Sequence, residues 1–594
     1  MTALAWLLIA APAAAGLAGL LVHRRDFAVV LAYTGPGAAL ACAAAVSFAN
    51  PQASYVLADF GSVTATAALD LSPGACAVAL ATGFVSLLVQ LYSAAYLRDD
   101  PRYAPFAAQV NLFCAAMLLV VAADDLVLLL IGWEVMGACS YLLIAHYAKL
   151  PQAPGAAAKA FLVTRFGDVA FVLGVMITGV AAGTFRIGEI HDAPTLAMLL
   201  ILFGCIGKSA QFPLQIWLPP AMAGPTPVSA LIHAATMVAA GAYVLTRLLP
   251  AWPADLLLVV AVVAAVTMVG AGLCALAARD VKGVLAWSTV SQVGFMFAAV
   301  AVAAGDAALF HLVAHAAFKG LLFLTAGVVI ALAGTDGSLR ATRLRPGDSR
   351  LAFWAMTIGL AAMAGLPPLG GFYSKETVLG AAYEAGTPAG VVVFWAGVGA
   401  SILTAAYATR LWLLLFWRGP GPAALPAVPR AESFSLWALT AATVLVGALY
   451  YAGPFEVPEL HGDLMALLLL ATVGGIAIVA DSWWRDGRAR EPVPDRDPAR
   501  ILGRARGALA EGLYAERLAA KATRSAAAAL SAAATTLDVR LVDGGAVEGS
   551  ARATLAAAEH TAEGHRGGLV RYLRLSAAGT LVVAAVAIGV GLWN

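Results

Sequence analysis

Long apolar stretches, separated by short polar connections, recur along almost the whole chain. About sixteen of them approach the ~20 residues that an α-helix needs to cross the hydrocarbon core of a bilayer. The pattern therefore predicts an all-α polytopic membrane protein. The approximate limits of the spans are 3–22, 27–48, 72–96, 106–122, 125–147, 160–182, 196–218, 227–249, 255–277, 284–304, 307–333, 352–380, 391–416, 434–452, 463–482 and 569–592.

Composition agrees with this class and excludes others. Of the 594 residues, 61% are hydrophobic and 12% are charged, and the mean hydropathy is +0.86. A net charge of +2 without a basic or aromatic platform gives no support for nucleic-acid binding. The first apolar stretch follows no basic region, so we interpret it as a retained span and not a cleaved signal. The six cysteines lie in apolar spans without a CxxC pair, which argues against disulfides and iron–sulfur ligation in this chain.

Basic residues concentrate in alternate connections, beginning with Arg24 and Arg25 in the first and including four arginines in the 340–350 connection. The positive-inside rule places these connections in the cytoplasm. Both termini then lie outside, which requires an even number of spans.

The segment from 484 to 568 departs from the apolar pattern. A charged, proline-punctuated linker covers 486–506, and an alanine-rich stretch over 509–541 predicts a long helix too charged to span. We expect Gly544 and Gly545 to interrupt it and a second piece to continue to about Glu559. The prediction is a lateral amphipathic helix on the cytoplasmic side, held by a final anchor helix; the alternative is a flexible tail.

Two spans contain both a lysine and a reason to break. Span seven carries Lys208 with Pro213 shortly after it, and span twelve reads GLPPLGGFYSKE, with Lys375 following the prolines and glycines. A proline inside a helix removes a hydrogen bond and clashes with the preceding turn. Five spans separate the two features, so the units that contain them must have opposite orientations. Broken helices in inverted repeats indicate an ion path; for Lys208 the alternative is a structural kink with a snorkelling side chain.

This organisation predicts two inverted five-helix repeats within a longer chain. The predicted segments are N-terminal helices over 1–105, repeat one over 106–249, repeat two over 255–416, additional helices over 417–483, the linker and lateral helix over 484–568, and the anchor over 569–594.

Ionisable residues form a row within the spans, where each uncompensated charge is costly and marks a candidate functional site. The candidate relay residues are Glu134, Lys208, His233, His311, His315, Lys319 and Lys375, with Arg165, Asp168 and Glu376 in support. His311, His315 and Lys319 share one helical face, as do Arg165 and Asp168. Such a row can pass protons, because desolvated lysines shift their pKa and histidine titrates near neutrality.

Simpler interpretations exist for several of these residues. Arg165 and Asp168 could form a static ion pair, and Glu134 could have only a structural partner. His311 and His315 could bind a metal, but no nearby carboxylate completes a ligand set, so we expect no metal. Asp280 and Lys282 either mark a cytoplasmic entrance or cap a helix. The nearby polar cluster of Ser288, Thr289, Ser291 and Gln292 either hydrates a path or packs helices.

Five motifs carry a family resemblance: GKSAQFPLQIWL with AMAGPTPVSALIHAATMV, RDVKGVLAWSTVSQVGFM, FHLVAHAAFKGLLFL and GFYSKETVL. Over residues 60–420 they resemble the antiporter-like membrane subunits of respiratory complex I (NADH-quinone oxidoreductase), whose superfamily includes Mrp-type antiporters and membrane hydrogenase subunits. The lysine in GFYSKE is typical of the subunit L group, since a glutamate is expected there in subunit M. One departure is WLPPAM at 217–222, where the family often has an aspartate near the predicted entrance.

The resemblance implies a role for each matching residue. Glu134 and Lys208 would form a charge pair whose separation changes the lysine pKa. Lys319 would be the central relay, fed by the three histidines, and Lys375 the exit, with Glu376 holding it charged. The resemblance implies a proton-translocating, non-redox subunit in a bacterial plasma membrane. NADH, FMN, iron–sulfur clusters and quinone would belong to partner subunits, and the expected contacts are other membrane-arm subunits, above all subunit M, together with lipid and protons.

Two other function classes remain open. A Mrp-like cation/proton antiporter or a hydrogenase-type subunit would not depend on an NADH-oxidising arm and would differ in sodium sensitivity. A membrane scaffold with an inactive repeat would not need the intact set of Glu134, Lys208, Lys319 and Lys375.

Overall fold

A computed structural model describes residues 2–48, 52–59, 61, 64–417, 425–488, 496–565 and 568–591. The fold is predominantly helical. The helices are α1 Thr2–Leu21, α2 Arg25–Val46, α3 Pro73–Tyr96, α4 Tyr103–Ala122, α5 Leu126–Ile144, α6 Gln152–Ala182, α7 Thr195–Lys208, α8 Thr226–His233, α9 Met237–Arg247, α10 Ala254–Ala277, α11 Val281–Ala301, α12 Gly305–Ala333, α13 Arg350–Ala364, α14 Gly370–Glu384, α15 Pro388–Phe416, α16 Arg430–Leu445, α17 Leu449–Ala452, α18 Gly462–Arg488, α19 Arg506–Ala510, α20 Ala515–Leu537, α21 Glu548–His565 and α22 Leu569–Gly591. Two strands, β1 Gln52–Asp59 and β2 Thr64–Asp70, form an antiparallel hairpin.

The predicted all-α polytopic fold is confirmed. Among the described residues, fourteen helical stretches are long and apolar enough to cross a membrane. The other two predicted spans are discontinuous: α7 is a shorter apolar helix followed by irregular chain, and α13 is a shorter apolar helix followed by α14. The last predicted span corresponds to α22, and residue 592 lies outside the described residues. The segment bounds proposed for the two repeats stay predictions.

Both predicted broken helices are present, but the first breaks earlier than expected. α7 ends at Lys208 itself, five residues before Pro213, and Ala210 then has φ of 51°. Two short 3-10 turns, Gln215–Trp217 and Pro220–Ala223, carry the chain to α8. Pro213 disfavours helical backbone at the residue before it. Because α7 has ended before this point, Lys208 is at the end of a helix and not in its interior.

A third break divides span eight between α8 and α9, at a point where the sequence has no proline or glycine. Thr236 has φ of −129° and ψ of −118°, and its hydroxyl donates to the Leu231 carbonyl. Side chains from neighbouring helices donate hydrogen bonds to the carbonyls at the break: Thr82 donates to the Ala235 carbonyl, and His315 donates to the Ala234 carbonyl at 3.1 Å. Tertiary contacts, and not local sequence, stabilise this break.

The β-hairpin is an element that the apolar pattern did not indicate. It leads into a carboxylate-centred brace on the membrane face opposite the 340–350 connection. Asp124, only 4% exposed, accepts from Arg186 at 2.9 Å and from Arg247 at 3.4 Å, and its backbone N–H donates to the Ala68 carbonyl on β2. The side chain of Asp125 accepts from Thr66. Arg186 and Arg247 thus join the hairpin, the α4–α5 and α6–α7 connections and α9.

The chain divides into two compact units, Met1–Tyr514 and Ala515–Asn594. The predicted lateral helix begins at Ala515 and not near Leu509, because Gly512, Leu513 and Tyr514 all have positive φ and end α19. Gly544 and Gly545 do not interrupt the helix: a π-helical stretch, Asp538–Val547, joins α20 to α21, which continues to His565. The cytoplasmic placement of this helix stays a prediction.

The brace predicts a stability effect on this face. Asp124→Asn retains the size of the side chain but removes its charge and replaces one acceptor oxygen by an NH₂ donor, so both arginines lose the buried carboxylate. We expect the free energy of unfolding to fall by about 2 kcal/mol, the range for hydrogen bonds to charged groups, measured as a lower thermal unfolding temperature of the purified protein. Glu189→Gln is the matched control, because Glu189 meets the same Arg186 at 3.5 Å but is half exposed. Equal effects of the two substitutions would show that the Asp124 contacts stabilise nothing beyond a surface pair.

Candidate functional site

Lys208 is fully buried at the C-terminus of α7, where three helices meet. Its Nζ donates to Asp168 Oδ2 on α6 and to the Trp133 carbonyl on α5, both at 3.3 Å. The ammonium also lies 4.8 Å from the centroid of the Trp133 ring. A helix C-terminus carries partial negative charge, which favours a cation there. The break in α7 therefore supplies part of the environment that keeps a buried lysine charged.

Asp168 is the acceptor at the centre of this cluster. It is 3% exposed, and Trp133 Nε1 donates to its Oδ1 at 2.6 Å. The Trp133 ring stacks on Phe171 with centroids 4.4 Å apart, which fixes the direction of that donor. The sequence predicted Asp168 only as a supporting residue and did not identify Trp133. Trp133 directly precedes Glu134 on the same span, and this position is the sequence feature that could have identified it.

The predicted direct pairing of Glu134 with Lys208 is not what the structure shows. Arg165 lies between them: its guanidinium forms an ion pair with Glu134, and its Nε is 3.6 Å from Asp168 Oδ2. Glu134 and Arg165 are about one third exposed on the outer face of the bundle, whereas Asp168 and Lys208 are buried. The order is Glu134, Arg165, Asp168, Lys208, with the two carboxylates and two cations alternating. In place of the expected pair there is a four-membered network, because the Arg165 side chain on α6 contacts both Glu134 and Asp168.

Gly137 makes the close approach of these helices possible. A Cβ placed on Gly137 would lie 2.8 Å from an Arg165 guanidinium nitrogen and 3.2 Å from Lys208 Nζ. Both distances are shorter than ordinary van der Waals contacts. Because glycine has no side chain, position 137 on α5 leaves room for both cations.

The centre of the row lies on α12. Lys319 is fully buried and donates to the Leu285 carbonyl at 3.2 Å and to the Ser288 hydroxyl on α11. Its hydrogen-bond partners among the described residues are neutral, unlike those of Lys208. His315, one turn away on α12, donates from Nδ1 to the carbonyl of Ala234 at the break in span eight. The predicted stripe of His311, His315 and Lys319 is therefore present on α12, and it contacts the break in span eight.

His233 lies at the C-terminus of α8 and is fully buried against Phe323, with ring centroids 4.6 Å apart. Within the described part of the chain, neither of its ring nitrogens has a hydrogen-bond partner. The Nε2 atoms of His311 and His315 are likewise without one. Buried polar atoms in proteins are normally hydrogen-bonded, to water where protein groups are absent. These three rings therefore border places where water can bind.

The third cluster surrounds the break between α13 and α14. Lys375 Nζ donates to the Met363 carbonyl at 2.7 Å, in the last turn of α13, and lies 5.4 Å from the Phe295 ring centroid. The hydroxyl of Ser374 is 2.9 Å from His311 Nδ1, which links α14 to the α12 stripe. Lys375 thus binds a carbonyl in the last turn of a helix that ends at a break, whereas Lys208 is itself at the end of a broken helix and binds groups on α5 and α6.

The proposed support of Lys375 by Glu376 is not a contact in the structure. Glu376 Oε1 accepts instead from the backbone N–H of His461 at 3.1 Å, and the imidazole of His461 lies 3.0 Å from Glu384. Neighbouring residues on a helix point about 100° apart and do not face each other. Glu376 therefore belongs to a separate group at the start of α18.

Amide and hydroxyl side chains lie between the three lysines. Gln211 donates to the Val290 carbonyl on α11 at 3.3 Å, and Gln292 donates to Thr404 on α15 at 3.3 Å. The Oε1 atoms of both glutamines are buried without a partner among the described groups. Ser291 instead donates to the Met268 carbonyl, which is the helix-packing role. Sequence analysis identified the α11 cluster but not Gln211, although it lies in the GKSAQFPL motif.

The candidate entrance is partly a helix cap. Asp280 is the N-cap of α11, and its Oδ1 accepts from the Gly283 N–H at 2.6 Å. Burial raises the pKa of this carboxyl above its ordinary value, and the Gly283 hydrogen bond opposes the shift. Lys282 donates to the Gly224 and Met222 carbonyls in the irregular chain before α8. The capping alternative is correct for Asp280, while Lys282 tethers the broken span seven. Over the described residues, no three His, Cys, Asp or Glu side chains cluster as metal ligands would.

Comparison with known proteins identifies the family to which this chain is similar. Residues 123–404 match the family described as NADH:quinone oxidoreductase/Mrp antiporter, TM, and residues 57–107 match NADH-Ubiquinone oxidoreductase (complex I), chain 5 N-terminus. NADH-quinone oxidoreductase subunit L of Pseudomonas aeruginosa is 42% identical over 442 residues, covering 70% of this chain and 71% of that protein. Subunit L of Escherichia coli K12 is 38% identical over 442 residues, 70% and 72% of the two chains. A solved chain of the Mrp complex from Dietzia sp. DQ12-45-1b superposes with a TM-score of 0.67 at 25% identity, covering 98% of this chain and 63% of that one.

The tight space at Gly137 gives a structural prediction. In Gly137→Ala the added methyl group must displace Arg165 and Lys208, so we expect the Arg165–Asp168 and Lys208–Asp168 distances to increase by about 1 Å in a structure of the variant. Gly270→Ala on α10 is the matched control, because a Cβ there meets nothing within 4 Å. An unchanged charge cluster in Gly137→Ala would contradict the tight packing described for α5.

Proposed function

The chain belongs to the NADH-quinone oxidoreductase subunit L family, and from that premise we propose that it translocates protons in the membrane arm of such an enzyme. The observation that carries the proposal is the row of three fully buried lysines, Lys208, Lys319 and Lys375, each on or beside a broken span. A proton path across an apolar layer requires a row of ionisable groups with water between them, whereas a soluble redox centre does not.

Protons would move between the three lysine clusters through side chains and water. Unpaired atoms of His233, His311, His315, Gln211 and Gln292 border the intervals and can bind the connecting waters. An uncompensated charge in a low-dielectric interior costs several kcal/mol. A change of charge at one lysine therefore alters the proton affinity of the next, and this interaction would carry the proton along the row.

The alternating network at α5–α7 would act as the switch. Arg165 contacts both Glu134 and Asp168. When Arg165 stays with Glu134, Asp168 is available to Lys208 and holds it protonated. When Arg165 moves toward Asp168, Lys208 shares its counter-ion with a second cation and is disposed to release its proton toward Lys319. The network thus converts a movement at the protein surface into a change at a buried site.

The outer end of this network suggests how the switch would be driven. Glu134 and Arg165 lie partly exposed among apolar surface side chains such as Ile131, Leu162 and Phe166. A partly exposed ion pair on an apolar surface that faces lipid is costly, and a neighbouring protein subunit would cover it. We propose that a sister antiporter-like subunit, equivalent to subunit M, docks here. NADH, FMN, iron–sulfur clusters and quinone would act in other partner subunits, and their redox state would reach this chain through that contact.

The outlet would lie at Lys375, and its direction follows from the charge distribution. α13 begins after the arginine-rich 340–350 connection, so Lys375 is beyond the break, toward the opposite face. With that connection in the bacterial cytoplasm, the released proton leaves on the outside of the plasma membrane. Ser374 and His311 provide the link from the central stripe.

A cation/proton antiporter is the second candidate function, favoured by the likeness of nearly the whole chain to a Mrp complex chain. That function would require sodium-dependent transport independent of NADH oxidation. In proteoliposomes that contain the complete assembled complex, proton uptake driven by NADH and insensitive to sodium supports the first proposal. Uptake driven only by a sodium gradient supports the second.

The switch proposal predicts the effect of removing its buried cation. Lys208→Met retains the length of the side chain without the charge, so Asp168 loses its partner and the relay its first proton carrier. We expect NADH-driven proton uptake in proteoliposomes to fall at least tenfold while the complex assembles. Lys149→Met, an exposed lysine in the α5–α6 connection, is the control and should pump normally. Normal uptake by the Lys208 variant would remove this residue from the path.

Lys375 and Glu376 should behave independently, because they do not contact each other. Lys375→Arg retains the charge, but the guanidinium does not release its proton usefully, so we expect a loss of pumping of at least fivefold. Glu376→Gln keeps the acceptor for the His461 N–H and should retain most pumping. The measurement is the initial rate of proton uptake at matched NADH oxidation. Equal losses in the two variants would instead indicate that Lys375 is a counter-charge for Glu376.

A further inference from the structure

A polar cavity of about 620 Å³ lies at the ends of several spans, away from the lysine row. It is lined by residues from four separate parts of the first compact unit, namely Arg279, Ser338, Leu339, Arg340, Arg410, Asp497, Arg506 and Gly507. Four of these are arginines and one is an acid, which leaves an excess of three positive charges. The space is enough for a phosphate-sized group and several waters, each of which occupies ~30 Å³.

Arg410, on α15, is the deepest of the four arginines and is only 1% exposed. Its Nε and one terminal nitrogen bind the two oxygens of Asp497 at 2.7 and 2.9 Å, a bidentate ion pair. Its other terminal nitrogen, Nη1, is buried without a hydrogen-bond partner among the described groups. A buried guanidinium N–H is rarely left unsatisfied. The cavity beside it is therefore a place where an acceptor, either water or an anion, would satisfy this N–H.

Asp497 does not neutralise the site by itself. Its Oδ2 also accepts from Arg506 at 2.5 Å, and its Oδ1 accepts from the Ala499 N–H. Burial alone would raise the pKa of Asp497, but the hydrogen bonds and charge of Arg410 outweigh it and hold the pKa below its ordinary value. The carboxylate is thus ionised and already shared between two arginines, so its acceptor capacity is used.

The remaining two arginines come from the connections that the charge pattern assigns to the cytoplasmic face. Arg279 follows α10, with a side chain 69% exposed and 3.8 Å from Glu511. Arg340 lies in the α12–α13 connection, and its carbonyl accepts from Arg343. Counting Glu511 at the rim, the site still has two excess positive charges. Arg279 and Arg340 lie in connections between helices, and Arg410 lies in the last two turns of α15.

We propose that this cavity binds a phosphate-bearing anion, with the phosphodiester of an anionic phospholipid as its main source and free inorganic phosphate as the alternative source. Guanidinium groups present fork-shaped donors that match phosphate oxygens. Basic pockets between helix ends at the membrane surface are typical sites for anionic headgroups. The phosphate would accept from Arg410 Nη1 and from the two connection arginines. It would join the α10–α11 turn, the α12–α13 connection and the segment that holds Asp497 and Arg506.

The test uses the complete complex purified from membranes. Arg279→Gln combined with Arg340→Gln removes two charges from the rim and leaves the Arg410–Asp497–Arg506 pairs intact. Arg350→Gln combined with Arg485→Gln removes two charges from exposed positions outside the cavity and is the matched control. Native mass spectrometry counts the phospholipids retained. Thermal unfolding of delipidated complex is then measured with phosphatidylglycerol, with phosphatidylcholine, and with sodium phosphate against sodium chloride at equal ionic strength.

Three outcomes are informative. Wild-type and control complexes that retain one more phosphatidylglycerol than the cavity variant, and that need about tenfold less of it for thermal stabilisation, support the lipid as source. Stabilisation by sodium phosphate alone, weakened in the cavity variant, supports free phosphate as source. Equal lipid retention and equal thermal shifts in all three complexes would overturn the proposal and leave the arginines as partners of Asp497 and Glu511 only. Because no readout is proton transport, the result does not depend on the proposed function.

Discussion

A buried positive charge is the constraint on which the rest of this fold depends. An ammonium in the apolar interior needs oxygen partners that the lipid cannot supply, and regular helices use their own carbonyls internally. Lys208 has its position at the end of α7, and Lys375 binds the Met363 carbonyl in the last turn of α13. The break after α13 provides the acceptor for Lys375, whereas Lys208 binds Asp168 on α6 and the Trp133 carbonyl on α5. The prolines and glycines that follow α13 are therefore part of the chemistry that holds Lys375.

The central lysine differs from the two outer ones in a way that suits a relay. Lys319 is in the middle of an unbroken helix, and among the described residues its hydrogen-bond partners are the neutral Leu285 carbonyl and Ser288 hydroxyl. Lys208, by contrast, has the carboxylate of Asp168. A carboxylate counter-ion stabilises the protonated form of a lysine. The proton affinity of a lysine with only neutral partners depends more strongly on other charges nearby. Under the proposed function, Lys208 would be a regulated first site, Lys319 a responsive middle and Lys375 an outlet beside the break after α13.

Sequence patterns predicted the spans and the ionisable row because both depend on local rules: apolar length, proline breaks and the cost of intramembrane charge. They did not predict which charges meet. The family resemblance implied a pair of Glu134 with Lys208. In the structure Arg165 pairs with Glu134 and Asp168 pairs with Lys208. These pairings depend on how α5, α6 and α7 are rotated about their axes. Gly137 and Trp133, which shape that cluster, are ordinary residues for a membrane helix. The break at Thr236 depends on donors from Thr82 and His315, far away in the chain, and could not be predicted locally.

The central claim is that charge moves through the buried row, and Lys319 tests it most directly because it lies between the two broken spans. The measurement is the number of protons translocated per NADH oxidised, in proteoliposomes that contain the assembled complex with Lys319→Met. The account predicts a lower ratio of protons to NADH, with NADH oxidation continuing. An unchanged ratio in an assembled, active complex would contradict it, because protons would then cross without the middle of the row.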